Sequence, residues 1–215
     1  MNNRTIFIIA AIVALTGNAQ TPADKVLFKS DFESANVDSV PEELMILAGQ
    51  FSVKEIGGNK ALELPGTPLE DFGALFGQAE SDGVAVRARV RSESTKRLAP
   101  RFGVGLGGVA GYRLLVAPGQ NALQLLKDQQ VVALAPFEWE PGTWTSLHLQ
   151  VRKMSEGKWI IEGRAWADGT PEPKDWPISF EVSEAPPAGK ASIWGAPYSG
   201  KPILFDDLGI ISLQP

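Results

Sequence analysis

The chain has 215 residues, with 20 Lys and Arg against 25 Asp and Glu, a net charge of −5 and no cysteine. A mildly acidic balance argues against non-specific nucleic-acid binding, which needs clustered basic charge. Without cysteine there is no disulfide to support a small core, and no N-terminal Cys that could be lipidated to hold the chain on a membrane.

Residues 1–19 have the three parts of a secretory signal: a polar start with Arg4, the apolar run 6–15, and small residues at Gly17 and Ala19 that suit cleavage. The run is about half the roughly 20 residues that span a bilayer. The expectation is an exported protein, periplasmic or extracellular, with no membrane insertion and with residues 20–215 as one domain. A domain of that length buries about 70% of the surface its unfolded chain exposes, enough to fold without bridges.

Beyond residue 26 apolar residues recur with period 2, not at the i, i+3, i+4 spacing of a helix. Strands are expected over residues 26–32, 51–56, 61–64, 83–91, 101–106, 112–116, 123–126, 131–134, 143–152, 159–166, 178–182, 191–194 and 203–213. Turn residues separate them, among them Gly57-Gly58, Pro118-Gly119, Pro141-Gly142 and Asp168-Gly169. Segments 37–43 and 171–177 read as irregular. Many short strands spaced by such turns describe an all-β fold, a two-sheet antiparallel sandwich or a barrel. Alternation also assigns faces: Val84, Val86, Ala88 and Val90 point one way and Arg87, Arg89 and Arg91 the other, while Leu147, Leu149 and Val151 oppose Ser146, His148, Gln150 and Arg152.

Four segments resemble the concanavalin A-like lectin/glucanase superfamily: the opening Leu27-Phe28-Lys29-Ser30-Asp31-Phe32-Glu33, the strand Gly142-Thr143-Trp144 with its alternating continuation, the hairpin from Trp159 through Asp168-Gly169 to Trp176, and the ending Phe205-Asp206-Asp207-Leu208. The secreted 3-keto-disaccharide hydrolase family has a similar layout. The resemblance implies a jelly roll with adjacent first and last strands, and binding or cleavage of polysaccharides. Fold does not fix function. Retaining glucanases of this fold carry E-x-D-x-x-E, because two carboxylates about 5 Å apart flank the glycosidic bond; the sequence lacks that spacing and the arginine, histidine and tyrosine patterns of alginate lyases. No catalytic residue is therefore assigned, and a divergent hydrolase or lyase, or an envelope scaffold for another protein, stands as an alternative.

The chief candidate is a non-catalytic carbohydrate-binding face. Arg87, Arg89, Arg101, Arg113, His148, Gln150, Arg164 and Trp166 all take the outward phase of their strands, and guanidinium groups hold carboxylates or sulfates through paired hydrogen bonds. Gly103, Gly105 and Gly107 would leave room for a ligand. The partner is a polysaccharide or oligosaccharide, anionic ones included. The competing expectation is a solvated face on which arginines pair with nearby acids. His148 is the only histidine, and on an outward face it would be an ordinary surface group. Trp159 is placed in the core, whereas Trp166, Trp176, Trp194 and Tyr198 are candidates for ligand contact. The resemblance further implies a structural Ca2+ between first and last strands, where Asp31, Glu33, Asp206 and Asp207 would meet.

Overall fold

The computed structural model describes residues 24–67, 71–95 and 97–213. The expected signal segment 1–19 lies outside them. Among the described residues no helix is long and apolar enough to cross a membrane. Strand follows strand in chain order: β1 (Lys25–Ser30), β2 (Leu44–Ala48), β3 (Ser52–Ile56), β4 (Asn59–Leu64), β5 (Phe72–Glu80), β6 (Val84–Ser92), β7 (Arg101–Leu106), β8 (Tyr112–Ala117), β9 (Ala122–Lys127), β10 (Gln130–Pro136), β11 (Thr145–Ser155), β12 (Lys158–Ala167), β13 (Ile178–Val182), β14 (Gly189–Ala196) and β15 (Ile203–Ser212).

All pairings are antiparallel. One sheet, called A here, runs β13-β12-β11-β6-β15-β4-β3 with β1 also paired to β15; the other, sheet B, runs β10-β9-β8-β7-β14-β5-β2. First and last strands are thus neighbours, as the resemblance implied. The expected two-sheet sandwich is the fold observed.

Alternation explains how the two layers close. Val84, Val86 and Val90 of β6, Leu147 and Leu149 of β11 and Phe205 of β15 meet Phe102 and Val104 of β7, Leu114 of β8 and Ile193 of β14 in one buried apolar cluster. Burial at about 25 cal/mol per Å2 of apolar surface drives this, and removing water from both inner faces requires their polar residues to point outward. Hairpins supply the reversals. Gly57 and Gly58, with φ of 65° and 83°, close β3 on β4. Asp128 and Gln129 close β9 on β10 in the same left-handed region at φ of 50° and 64°, where side chains are strained.

Two strands, β2 and β5, lie where no alternation is visible. Phe72–Phe76 reads as a near-continuous apolar run because β5 is covered on both faces, Ala74 and Phe76 entering the core while Leu75 is buried on the outer side; in the apolar run Leu44–Ala48 of β2, Met45 and Leu47 are exposed. Segments 37–43 and 171–177 carry no strand, as expected. Trp159 sits at the core margin, packed against the cluster and donating Nε1–H to Asp82 at 3.2 Å.

Phe205 is fully buried with its ring 6.1 Å from that of Phe51. Phe205→Ala is expected to cost about 3–5 kcal/mol, read as a lowered urea midpoint with an unchanged denaturant slope.

Candidate functional site

The structure divides the eight expected ligand residues between two opposite surfaces. Arg87, Arg89, His148, Gln150, Arg164 and Trp166 share the outer face of sheet A, in register: His148 lies opposite Arg87 on β6 and Arg164 on β12, Ser146 opposite Arg89 and Trp166, and Gln150 opposite Glu162. Arg101 and Arg113 lie instead on the outer face of sheet B, on β7 and β8. Strand phase shows which residues share a face of one strand; it says nothing about which sheet the strand joins.

On sheet A four arginines, Arg87, Arg89, Arg152 and Arg164, are answered by the chain's own acids. Glu162 accepts from Gln150 Nε2 at 2.6 Å and from Arg152 Nη2 at 2.8 Å. The β12–β13 segment, residues 168–177, folds back over the face. Its Glu172 Oε1 lies 2.5 Å from Arg164 Nη2, 2.8 Å from His148 Nδ1 and 3.4 Å from Arg87 Nη2. The Trp176 ring stacks on the Arg164 guanidinium at 3.9 Å and meets His148 edge-on. His148 is consequently only 3% exposed, not the surface group its strand phase suggested.

Electrostatics follow from that cover. Burial pushes His148 down to about 4, so the ring is neutral at pH 7. Burial alone would raise the Glu172 carboxyl, but the hydrogen bond from His148 and the positive charges of Arg87 and Arg164 outweigh it and hold the carboxyl below its ordinary value. An ionised carboxylate only accepts, so Nδ1 of His148 carries the proton and Nε2 presents a lone pair. That Nε2 is buried without a partner.

The four acids expected to hold calcium fail to converge as a ligand set. Asp206 is buried, accepting from Arg89 Nη2 at 2.8 Å and from Asn59 Nδ2 at 3.2 Å. Arg89 reaches Asp207 at 2.8 Å through Nε and Asp168 at 3.0 Å through Nη1. Glu33 accepts from the backbone N–H of Lys60 at 2.9 Å, and Asp31 lies 3.7 Å from Lys29. Burial, joined by the negative charge of Asp206, raises the Asp207 carboxyl despite Arg89. Among the described residues no group of three or more His, Asp or Glu is arranged to take a metal ion. The residues therefore do not fit calcium at this seam, because a guanidinium already stands among its carboxylates.

Sheet B differs. A groove of about 370 Å3 lined by Val109, Gly111, Arg113, Leu126, Asp128 and Gln129 runs into a smaller hollow of about 110 Å3 that adds Arg101, Asp71 and Trp194. The Arg113 guanidinium lies 3.3 Å above the Trp194 ring, and Trp194 Nε1 donates to Ser192 Oγ at 2.8 Å. Gly73 and Gly105 let the indole lie on the sheet, since a Cβ at Gly73 would come within 2.7 Å of its ring and one at Gly105 within 3.3 Å of its Nε1. The glycine room expected for a ligand is thus already taken: at Gly103 by Leu114 and Leu115, at Gly105 by Ser192 and Trp194, and at Gly107 by Pro187; Trp194 is 7% exposed under Arg113. Neither Arg101 nor Arg113 has an acidic partner within ion-pair distance among the described residues. Burial lowers the pKa of Arg113 against the opposing charge of Asp71, and Nε of Arg101 is buried without a partner.

Sequence reasoning missed Glu172, Asp71 and Gln129. Each lies on or next to a segment with no periodicity. Asp128-Gln129 gave no Gly or Asn to announce a turn, although the two strand-like runs flanking it sit close together.

The chain's sequence matches no described protein family, and it matches no curated protein. Its fold resembles many solved structures. The Emp47p carbohydrate recognition domain superposes with a TM-score of 0.59 at 12% identity, over 89% of this chain and 97% of that one. The PL-14 alginate lyase of Aplysia kurodai gives 0.56 at 12% identity over 89% and 100%, and the carbohydrate binding module CBM66 of Bacillus subtilis gives 0.54 at 11% over 78% and 94%. These likenesses show the fold, a jelly roll of two antiparallel sheets.

Two outcomes follow. His148 has a folded pKa near 4 against 6.5 unfolded, so the unfolded chain takes up the proton first. Stability is whole above pH 6.5 and declines by on the order of 3 kcal/mol as pH falls to 4. Denaturant melts should show that slope flattened in His148→Gln. Second, Arg89→Ala leaves Asp206 buried and uncompensated, costing about 3–5 kcal/mol. Millimolar calcium should recover part of the lost melting temperature in the variant while leaving the parent unmoved.

Proposed function

We propose that this chain is an exported, non-catalytic carbohydrate-binding protein that holds an anionic polysaccharide or oligosaccharide in the groove on the outer face of sheet B. The observation that carries this is the pair Arg101 and Arg113, with Arg113 stacked on Trp194 in a groove and no acidic partner for either among the described residues. A half-buried guanidinium stripped of water and left without an anion gains more from an incoming carboxylate or sulfate than one already paired. Stacking on the indole fixes the guanidinium plane, so less side-chain freedom is lost when a ligand docks. Gln129 and the backbone at Gly111 offer further hydrogen-bonding groups along the groove for hydroxyls of a sugar ring.

Two further considerations support it. The names of structural neighbours describe a carbohydrate recognition domain, a carbohydrate binding module and an alginate lyase, and the fold is the part they share with this chain. The acids beside the groove, Asp71 and Asp128, come from different elements, and the single histidine is buried on the other sheet. That arrangement suits holding a chain more than cleaving one.

Isothermal titration against oligogalacturonate, a sulfated galactan and a neutral galactan tests this. The acidic ligands should bind and weaken with added salt. Arg101→Ala and Arg113→Ala should each lose about 10- to 100-fold in affinity, the worth of a charge-assisted hydrogen bond. No binding to any of the three polymers would overturn the proposal.

A further inference from the structure

On sheet A three groups from three adjacent strands converge on one carboxylate. Arg87, His148 and Arg164 stand side by side on β6, β11 and β12, and Glu172 Oε1 is reached by all three. The cations and the ring are built into the sheet. Their acid is not: it arrives on the segment 168–177.

That segment is fastened by polar and stacking contacts more than by burial. None of residues 168–177 is buried. It holds through Asp168 on Arg89, Glu172 on the three-group nest, the Pro173 carbonyl accepting from Arg164 Nη1 at 2.5 Å, and Trp176 on Arg164. Gly169 at φ 82° and prolines at 171, 173 and 177 bound a stretch with no ladder of its own. A segment with so little apolar area opens at small cost.

The floor beneath is incompletely satisfied. Two donors, Nε of Arg87 and Nε of Arg164, are buried without a hydrogen-bond partner, as is the acceptor Nε2 of His148, an uncommon state for polar atoms in a folded protein. A single carboxylate oxygen, Oε1, takes all three contacts, so the nest has donors to spare. Trp166, two residues from Arg164 on the same face, remains on the floor when the segment leaves.

We infer that Arg87, Arg164 and His148 form a second carboxylate-binding site, for a uronic-acid sugar, and that Glu172 fills it as an internal stand-in carried on a displaceable strap, residues 168–177. Carboxylate replaces carboxylate, so the two guanidinium charges stay paired throughout and no covalent change occurs. The sugar ring attached to the incoming group takes the place of Trp176 over Arg164, beside Trp166. The site is independent of the groove on sheet B and is closed in the absence of ligand, so it answers only to ligand concentrations that compete with a tethered acid.

The test uses the full chain carrying Arg101→Ala and Arg113→Ala, which silences the groove. In that background Glu172→Ala should raise affinity for oligogalacturonate by about tenfold or more, with no gain for a neutral galactan, since an internal competitor has been removed. Adding Arg87→Ala and Arg164→Ala should abolish the gain. Glu172→Gln, which keeps the side-chain volume, serves if the alanine variant fails to fold. Hydrogen exchange on the strap with Glu172 intact gives a readout that needs no change at the nest: amides of residues 168–177 should exchange faster at saturating oligogalacturonate. Folded Glu172 variants without gained affinity, or strap amides that are unchanged or slowed by ligand, would overturn the inference while leaving the groove proposal standing. Failure of the groove proposal would appear instead in the protein with Arg101 and Arg113 present.

Discussion

Asp206 is a carboxylate with 2% of its side chain exposed, set in the strand on which sheet A is hung. β15 pairs with β1, β4 and β6, so the chain's beginning and end are both committed to it. A lone buried charge there would cost several kcal/mol. Arg89 answers it, and in doing so the same guanidinium ties Asp207 at the bulge of β15 and Asp168 on the strap. Three parts of the chain far apart in sequence are joined through one side chain. The acidic charge is met by a group that cannot be deprotonated or chelated away.

The same rule, that a cation drawn toward a protein surface looks for an anion, separates the two faces. On sheet A each of Arg87, Arg89, Arg152 and Arg164 meets an acid, with Arg91 the exception among the described residues. On sheet B Arg101 and Arg113 border an indole and a hollow whose one acid, Asp71, stands outside ion-pair distance. Arginine frequency along the strands would rank sheet A first as a ligand face. Charge balance turns attention to sheet B, where neither Arg101 nor Arg113 has an ion-pair partner among the described residues.

Alternation made the strands legible: β6, β11 and β12 follow it residue by residue, and the inward set Val84, Val86, Ala88 and Val90 is the set found in the core. It failed at β5, where Leu75 is buried on the outer face and the period-2 signal vanishes. It could not say that β7 and β8 belong to the sheet opposite β6, because pairing is a long-range choice that a strand's own sequence does not encode. The burial of His148 was invisible for a related reason. Its cover comes from residues 168–177, a segment with turn-forming composition and no periodicity, and where such a segment lies depends on Glu172 finding its partners in three dimensions.

The strands supply position, and the loops decide what each position does. Arg87 and Arg113 are equivalent by pattern, each outward on a central antiparallel strand. One is matched by a carboxylate from the β12–β13 segment. The other is bordered by the Asp128-Gln129 turn, where two residues without glycine's freedom hold left-handed backbone at a cost of about 1–2 kcal/mol each. That turn sends Gln129 to the groove wall beside Arg113, yet Asp128 in it is engaged 3.7 Å from Lys127 and not with the arginine. An acid of the groove wall is thus turned to another cation, and among the described residues no carboxylate stands within ion-pair distance of Arg113, which is the opening the proposed ligand would fill.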